Sequence, residues 1–227
     1  MMQANDTTTD KIIVAIDGGA GTGTSTAAEG VARALGIPHL NTGSMYRALA
    51  WEALHQGCDL KDDAACTLIA ETAEIEMDAG VAIAINGCDI RDQIYRPGME
   101  AYTPIMAGHA GVRHIMVELQ RAIAAEHGAA LEGRDIGTHV FPDTPHKFYF
   151  VCDPAERVRR VNAGGRQHET IKSLLARDAA DEAHTVGAFR KAADAIEIDT
   201  THISAAEVIA AIVEHVVRQR GRAVAQS

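Results

Sequence analysis

Two hydrophobic textures alternate along the chain. Short strand-like segments at 12–16, 38–40, 129–132, 147–152 and 195–199 are dominated by apolar residues. The continuous run at 12–16 has the form of a strand buried on both faces, and 129–132 reads as another buried strand. Between them, apolar residues recur at helical spacing over 25–35, 44–55, 112–127 and 169–182. A last stretch, opened by Ser204 as a cap, puts Val208, Ile209, Ile212, Val213, Val216 and Val217 at the same spacing. Strand alternating with helix predicts a parallel sheet covered by helices on both faces.

The texture changes once. After a modest helix over 61–73, the runs 74–77 and 81–86 alternate around Asp78-Ala79-Gly80, which is a hairpin signal. Pro97-Gly98 and Pro104 punctuate the residues between this hairpin and the next helix. We therefore expect a core domain from 11–60 and 112–227, an inserted domain over 61–111, and a loose polar tail over 1–10.

Composition narrows the class. The 227 residues suit one compact domain with an insertion, and the formal charge of −10 argues against binding nucleic acid or an anionic membrane. No apolar run approaches the roughly 20 residues of a membrane span. MMQANDTTTD lacks the basic start and apolar core of a signal peptide, so the expected location is the cytoplasm. Cys58, Cys66, Cys88 and Cys152 have no C-x-x-C spacing and read as buried, reduced thiols. The 11 histidines form no H-E-x-x-H or H-x-H pair, so no metal site built from protein ligands alone is expected.

Candidate chemistry begins where the first strand ends. Gly18, Gly19, Gly21 and Gly23 crowd six residues between an apolar strand and a helix. Such a loop turns backbone N–H groups onto a phosphate, and the helix N-terminus adds unpaired donors and the positive end of its dipole. The phosphate-loop pattern G-x-x-x-x-G-K-[ST] is in register at Gly18, Gly23 and Ser25, but the lysine position holds Thr24. Ser25 stands where a hydroxyl meets Mg2+.

Other cations fall at strand ends or helix starts that share this sheet edge. Arg47 opens a helix, and Arg134-Asp135 lie between Gly133 and Gly137. Arg157, Arg159 and Arg160 crowd one helical turn before the glycine-rich 162–166, which reads as a lid over polyphosphate or as a solvated basic helix end. Arg177 and Asp181, four apart, form either a ligand pair or a plain helical salt bridge.

Taken together, these residues resemble the bacterial cytidylate kinases. The resemblance runs from Ile12 to about Val217. It rests on the glycine loop, on Asn41-Thr42-Gly43-Ser44-Met45-Tyr46-Arg47 and on Glu132-Gly133-Arg134-Asp135-Ile136-Gly137-Thr138. Val140-Phe141-Pro142, Arg177-Asp178-Ala179-Ala180-Asp181, and Asp194 with Ile198-Asp199-Thr200 complete it.

The resemblance implies an α/β P-loop nucleoside monophosphate kinase fold, with an inserted monophosphate-binding domain and a short lid at about 157–168. It implies a monomer that moves the γ-phosphoryl of ATP, with Mg2+, to CMP or dCMP. Gly18, Gly19, Ala20, Gly21, Thr22, Gly23, Thr24, Ser25 and Thr26 are then the ATP phosphate loop, with Ser25 on the metal. Thr42 belongs to the acceptor-binding set, with Arg47 and Arg134 on the acceptor phosphate, Arg113, Asp135 and His184 on the base, and Arg177 and Asp181 on the ribose. Arg157, Arg160 and Arg166 are the lid cations and, with Arg47 and Arg134, the expected catalytic set.

The departures from the family pattern are Thr24 for lysine, Asn41 for aspartate, Tyr95 for an arginine (beside Arg96), His184 for an arginine and Pro104 for a serine. They leave three readings open. One is a cytidylate kinase, another a nucleotide-binding protein of this fold with impaired turnover, and the third a kinase with a different acceptor. The retained Arg47, Arg134, Asp135, Arg177 and Asp181 favour an occupied acceptor site.

Overall fold

A computed structural model describes residues 11–164 and 169–224. The tail expected at 1–10 and the lid cation Arg166 lie outside them. Strand β1 (Ile13–Gly18) leads into α1 (Thr24–Leu35), β2 (His39–Asn41) and α2 (Thr42–His55). The inserted region holds α3 (Asp63–Thr72), β3 (Ile75–Asp78), β4 (Val81–Ile85), β5 (Cys88–Asp89), a 3₁₀ turn (Met99–Ala101) and α4 (Thr103–Gly108). Then come α5 (Ala110–His127), β6 (Ala129–Gly133), a π-helical turn (Ile136–Val140), β7 (His146–Val151), α6 (Pro154–Ala163), α7 (Ile171–Glu182), β8 (Ile196–Asp199) and α8 (Ala205–Val224).

Five parallel strands form the main sheet in the order β2-β6-β1-β7-β8, and β3-β4-β5 form a separate antiparallel sheet. Alternation along β1 divides the core. Val14 and Ile16 face α1 and α8, where Val31, Val208, Ile212 and Val216 meet them. Ala15 faces the other side, with Met45, Leu49, Met116 and Leu131. That second cluster also takes Cys66, Ile69, Ala82, Ile85, Ile90 and Ile94 from the inserted region. The insertion at 61–111 thus has a sheet of its own but no separate hydrophobic centre.

Several local expectations are corrected. Asn162 and Ala163, grouped from the sequence with the glycine-rich stretch, belong to α6, and the Asn162 side chain accepts from Glu169 N (2.9 Å) and donates to Glu169 O (3.2 Å). Only Cys66 is buried; Cys88 is exposed, and Cys58 and Cys152 are half-buried, all four being free thiols. The π-helical turn has no counterpart among the expected elements. Its first N–H groups, Ile136 and Gly137, both donate to the buried Asp17 carboxylate at 2.8 Å. That acceptor lies on β1, far away in sequence.

Candidate active site

The C-terminal ends of β1, β2 and β6 open on one side of the sheet into a cleft of about 490 Å³. Strand order explains the position, because ligands in open parallel sheets bind beyond the strand ends near a change in winding direction. One wall is the glycine loop and the other is built from α2, α4, α5 and α7.

On the donor wall, Gly23 takes a left-handed conformation (φ 95°) as the N-cap of α1, and no side chain caps that helix. The first N–H groups of α1 are therefore left for an anion. Ala20, Gly21, Gly23, Thr24, Ser25 and Thr26 line the cleft. Thr22 turns inward, its Oγ1 donating to Gly19 O at 2.8 Å, while Thr200 Oγ1 donates to Thr22 O at 2.8 Å. Gly18 and Gly19 lie behind the wall. A Cβ at Gly19 would stand 2.3 Å from Arg157 Nη2, so a side chain there would displace that guanidinium.

Glu132, at the end of β6, sits under the loop. Ser25 Oγ donates to its Oε2, and Thr24 Oγ1 does so at 3.3 Å. The Glu132 carboxylate is buried, and its Oε1 makes no hydrogen bond among the described residues. The other oxygen, Oε2, stands with the Ser25 hydroxyl at the loop, and a carboxylate oxygen beside a serine hydroxyl is the donor set that a hard divalent cation takes. In the sequence Glu132 stands out only as part of the family pattern, and its contact with the loop is not legible there. The one local signal is an acid ending a buried strand.

The lid cations are less free than expected. Arg157 is buried, with Nη1 2.7 Å and Nη2 3.0 Å from the two oxygens of Asp178, and its Nε donates to Ala20 O at 2.8 Å. It braces the glycine loop from behind. Arg160 lines the cleft while bonded to Glu156 (2.8 Å) and Thr200 O (2.7 Å). Arg159 and Arg160 hold the Glu156 carboxyl down at about 2, chiefly through the hydrogen bond from Arg159. Arg159 itself is exposed.

Thr42, Arg47, Arg113, Arg134, Asp135, Arg177, Asp181 and His184, the residues expected to bind the acceptor, all line this cleft. Arg47 lies over the Tyr95 ring at 5.1 Å. Arg134 donates to Asp181 (3.1 Å) and to Gly18 O (2.6 Å), joining the acceptor wall to the loop. Arg177 pairs with Glu169 at 2.9 Å, so the plain salt bridge between Arg177 and Asp181 is not formed. Arg113 is buried against Asp135 and donates to Ala107 O (3.1 Å) and Gly187 O (2.8 Å). Burial opposes its charge, but Tyr46 and Asp135 raise its pKa and keep it a cation.

Three more of the departures acquire a place. Asn41 is the N-cap of α2, its Oδ1 accepting from Ser44 N at 2.9 Å, a task that asparagine and aspartate do equally well. Pro104 stands at the start of α4, and the ring of His184 lies 3.6 Å from where a Cβ on Gly108 would be. Pro104 and His184 both line the cleft.

The arginines in and around the cleft are paired: Asp135, Asp181, Glu169 and Glu156 each hold one. An incoming phosphate can displace a carboxylate and keep charge-assisted hydrogen bonds throughout.

The cytidylate kinase family model matches residues 14–218 of the chain. Over 222 residues the chain is 39% identical to a cytidylate kinase of Bacillus velezensis, covering 93% of this chain and 99% of that one. A cytidylate kinase of Halalkalibacterium halodurans is 36% identical over 216 residues, covering 91% and 97%. A bifunctional pantoate ligase/cytidylate kinase of Synechocystis is 38% identical over 215 residues, covering 89% of this chain and 42% of the longer protein. No helix among the described residues is long and apolar enough to cross a membrane.

Proposed function

The chain belongs to the cytidylate kinase family, and from that premise we propose that it transfers the γ-phosphoryl of ATP to CMP or dCMP. The observation that carries this is a shared cleft. A glycine loop with open N–H groups and an acceptor wall bearing Arg47, Arg113, Arg134 and Arg177 face the same space.

In this reading the acceptor phosphate rests on Arg47 and Arg134, the ribose on Arg177 and Asp181, and the base on Arg113 and Asp135 with His184 nearby. Thr42 donates to Glu132 O at 2.7 Å and holds the acceptor strand end against β6. Phosphoryl transfer passes through a loose transition state and asks mainly for alignment and positive charge on the equatorial oxygens. The nucleophile is an oxygen of the acceptor phosphate, and ADP leaves with the bond electrons, so no general base is required. Ser25 and Glu132 would hold Mg2+, which would supply charge neutralisation on the triphosphate. Arg160, on the cleft side of α6, is the described lid cation nearest that role, and Arg157 keeps the loop in shape. All these residues come from one chain, so a monomer suffices.

Thr24 is the cost of this arrangement. One preorganised donor is worth about 10²–10³ in rate, and the Thr24 hydroxyl is already turned to Glu132. Transfer of labelled γ-phosphate from MgATP to CMP, dCMP, UMP and AMP tests the reading, beside Thr24→Lys. We expect product from CMP or dCMP with the protein as it stands, and about 10–100-fold more turnover in Thr24→Lys. The gain stays below the full donor value because Glu132 draws the ammonium. No product from either protein with any acceptor, while ATP still binds, would refute the proposal.

A further inference from the structure

The orphaned oxygen of Glu132 has a neighbour that the phosphoryl transfer does not use. His39 Nε2 lies 3.4 Å from Glu132 Oε1, with the two side chains 9% and 7% exposed. Neither atom makes a hydrogen bond among the described residues. A buried carboxylate oxygen and a buried imidazole nitrogen left facing each other are costly unless they pair. Closing 3.4 Å to hydrogen-bond length needs only a small rotation of either group.

His39 is not free to be elsewhere. It opens β2, in parallel register with β6, where His39 lies opposite Ala130 and Asn41 opposite Glu132. The turn of the β3–β4 hairpin closes over it. Asn41 N donates to Gly80 O at 2.8 Å, and Gly80, at φ +82°, would place a Cβ 2.1 Å from His39 O. The backbone of His39 is thus held by the main sheet on one side and by the insertion on the other. Glu132 spans the gap between this histidine and the cradle hydroxyls of Ser25 and Thr24.

We infer that His39 is a positioning residue, holding Glu132 through an Nε2–H donor in the orientation in which that carboxylate and Ser25 receive the metal of the nucleotide. This rests on the reading of Glu132 and Ser25 as the metal's holders. Outer partners of metal-binding carboxylates fix orientation, and their loss typically costs about 10–100-fold in metal affinity or activity. The dependence is sharper here because Thr24 brings no fixed cation. Metal, rather than lysine, must offset the Glu132 charge beside the triphosphate.

The test compares wild type with His39→Phe, which keeps a ring but no donor, His39→Gln, which keeps an N–H at similar reach, and Glu132→Gln. Calorimetry follows ATP binding as Mg2+ is raised, with ATP in EDTA as the metal-free reference and thermal unfolding as the check on folding. We expect His39→Phe to need about 10–100-fold more Mg2+ for half-maximal ATP binding, with metal-free ATP affinity and the KM for CMP unchanged. His39→Gln should return most of that loss. If His39→Phe fails to fold, His39→Leu takes its place.

An unchanged Mg2+ requirement in a folded His39→Phe protein overturns the inference. So does a His39→Gln protein as weak as His39→Phe, which would make the role one of packing. A Glu132→Gln protein with the wild-type Mg2+ requirement would instead remove the metal reading on which the inference stands.

Discussion

Removing the carboxylate of Asp178 tests how the glycine loop is held. Arg157 makes two charge-assisted contacts to it, at 2.7 and 3.0 Å, with the side chains only 8% and 11% exposed. Each such hydrogen bond contributes about 1.5–3 kcal/mol, and breaking a buried pair from one side costs about 3–5 kcal/mol because a charge is left behind. Asp178→Ala should therefore lose about 3–5 kcal/mol of stability. For a chain of this length that is a fall in Tm of about 6–20 °C.

The same change has a functional signature. Arg157 Nε also donates to Ala20 O at 2.8 Å, and its guanidinium fills the space behind Gly19. A released Arg157 leaves the loop carbonyls without their brace, so the KM for MgATP should rise more than the KM for CMP. In the double variant Arg157→Met with Asp178→Leu, both charges are gone and much of the stability should return, while the MgATP defect persists. Chemical denaturation and steady-state kinetics read both effects. A stability loss for Asp178→Ala below about 1 kcal/mol, outside the range for breaking a buried pair, would refute this account. Equal rises in the two KM values would do the same.

Two other measurements probe separate regions. His146 on β7 and His215 on α8 meet edge to face at 6.1 Å; burial lowers the pKa of both, helped at His146 by His215 and Arg220 and at His215 by Arg218. The unfolded chain then binds protons that the folded one refuses, so stability should fall as pH drops below about 6.5 and be flat above it for these groups. Asp17, which burial pushes up to about 7, works in the opposite sense, losing stability as pH rises from about 4 toward that value. The test is therefore the difference in Tm between wild type and a His146→Phe, His215→Phe protein across pH 5–8. A pH-independent difference would sink the assignment. Arg134→Lys keeps the charge but loses the fork that reaches both Asp181 and Gly18 O. Its kcat for CMP should fall by about 10²-fold or more, and a fall of less than about threefold would place Arg134 outside the transfer step.

The residues carry local signals that act over a few positions, and these decide a good deal. Apolar runs and helical spacing marked the five strands of the main sheet and most of its helices. The glycine spacing after β1 marked the phosphate loop, and the alternation around Gly80 marked the hairpin. Short or irregular pieces left no such trace. Helix α4, the 3₁₀ turn and the π-helical turn at Ile136–Val140 are shorter than the window over which a helical period can be read. The π-helical turn also exists because Asp17, on another strand, receives its N–H groups.

Pairing across the sequence was decided only by the tertiary structure. The position of Glu132 under Ser25 follows from β6 lying beside β1 in a register set by two-sided burial. Arg157 went to Asp178 and the back of the loop, and Arg177 took Glu169 instead of Asp181, because packing of α6 against α7 set which carboxylate each guanidinium met. A sequence names the charges and the strands that carry them. Which charges neutralise one another in a buried cleft depends on distances that exist only once the layers have packed.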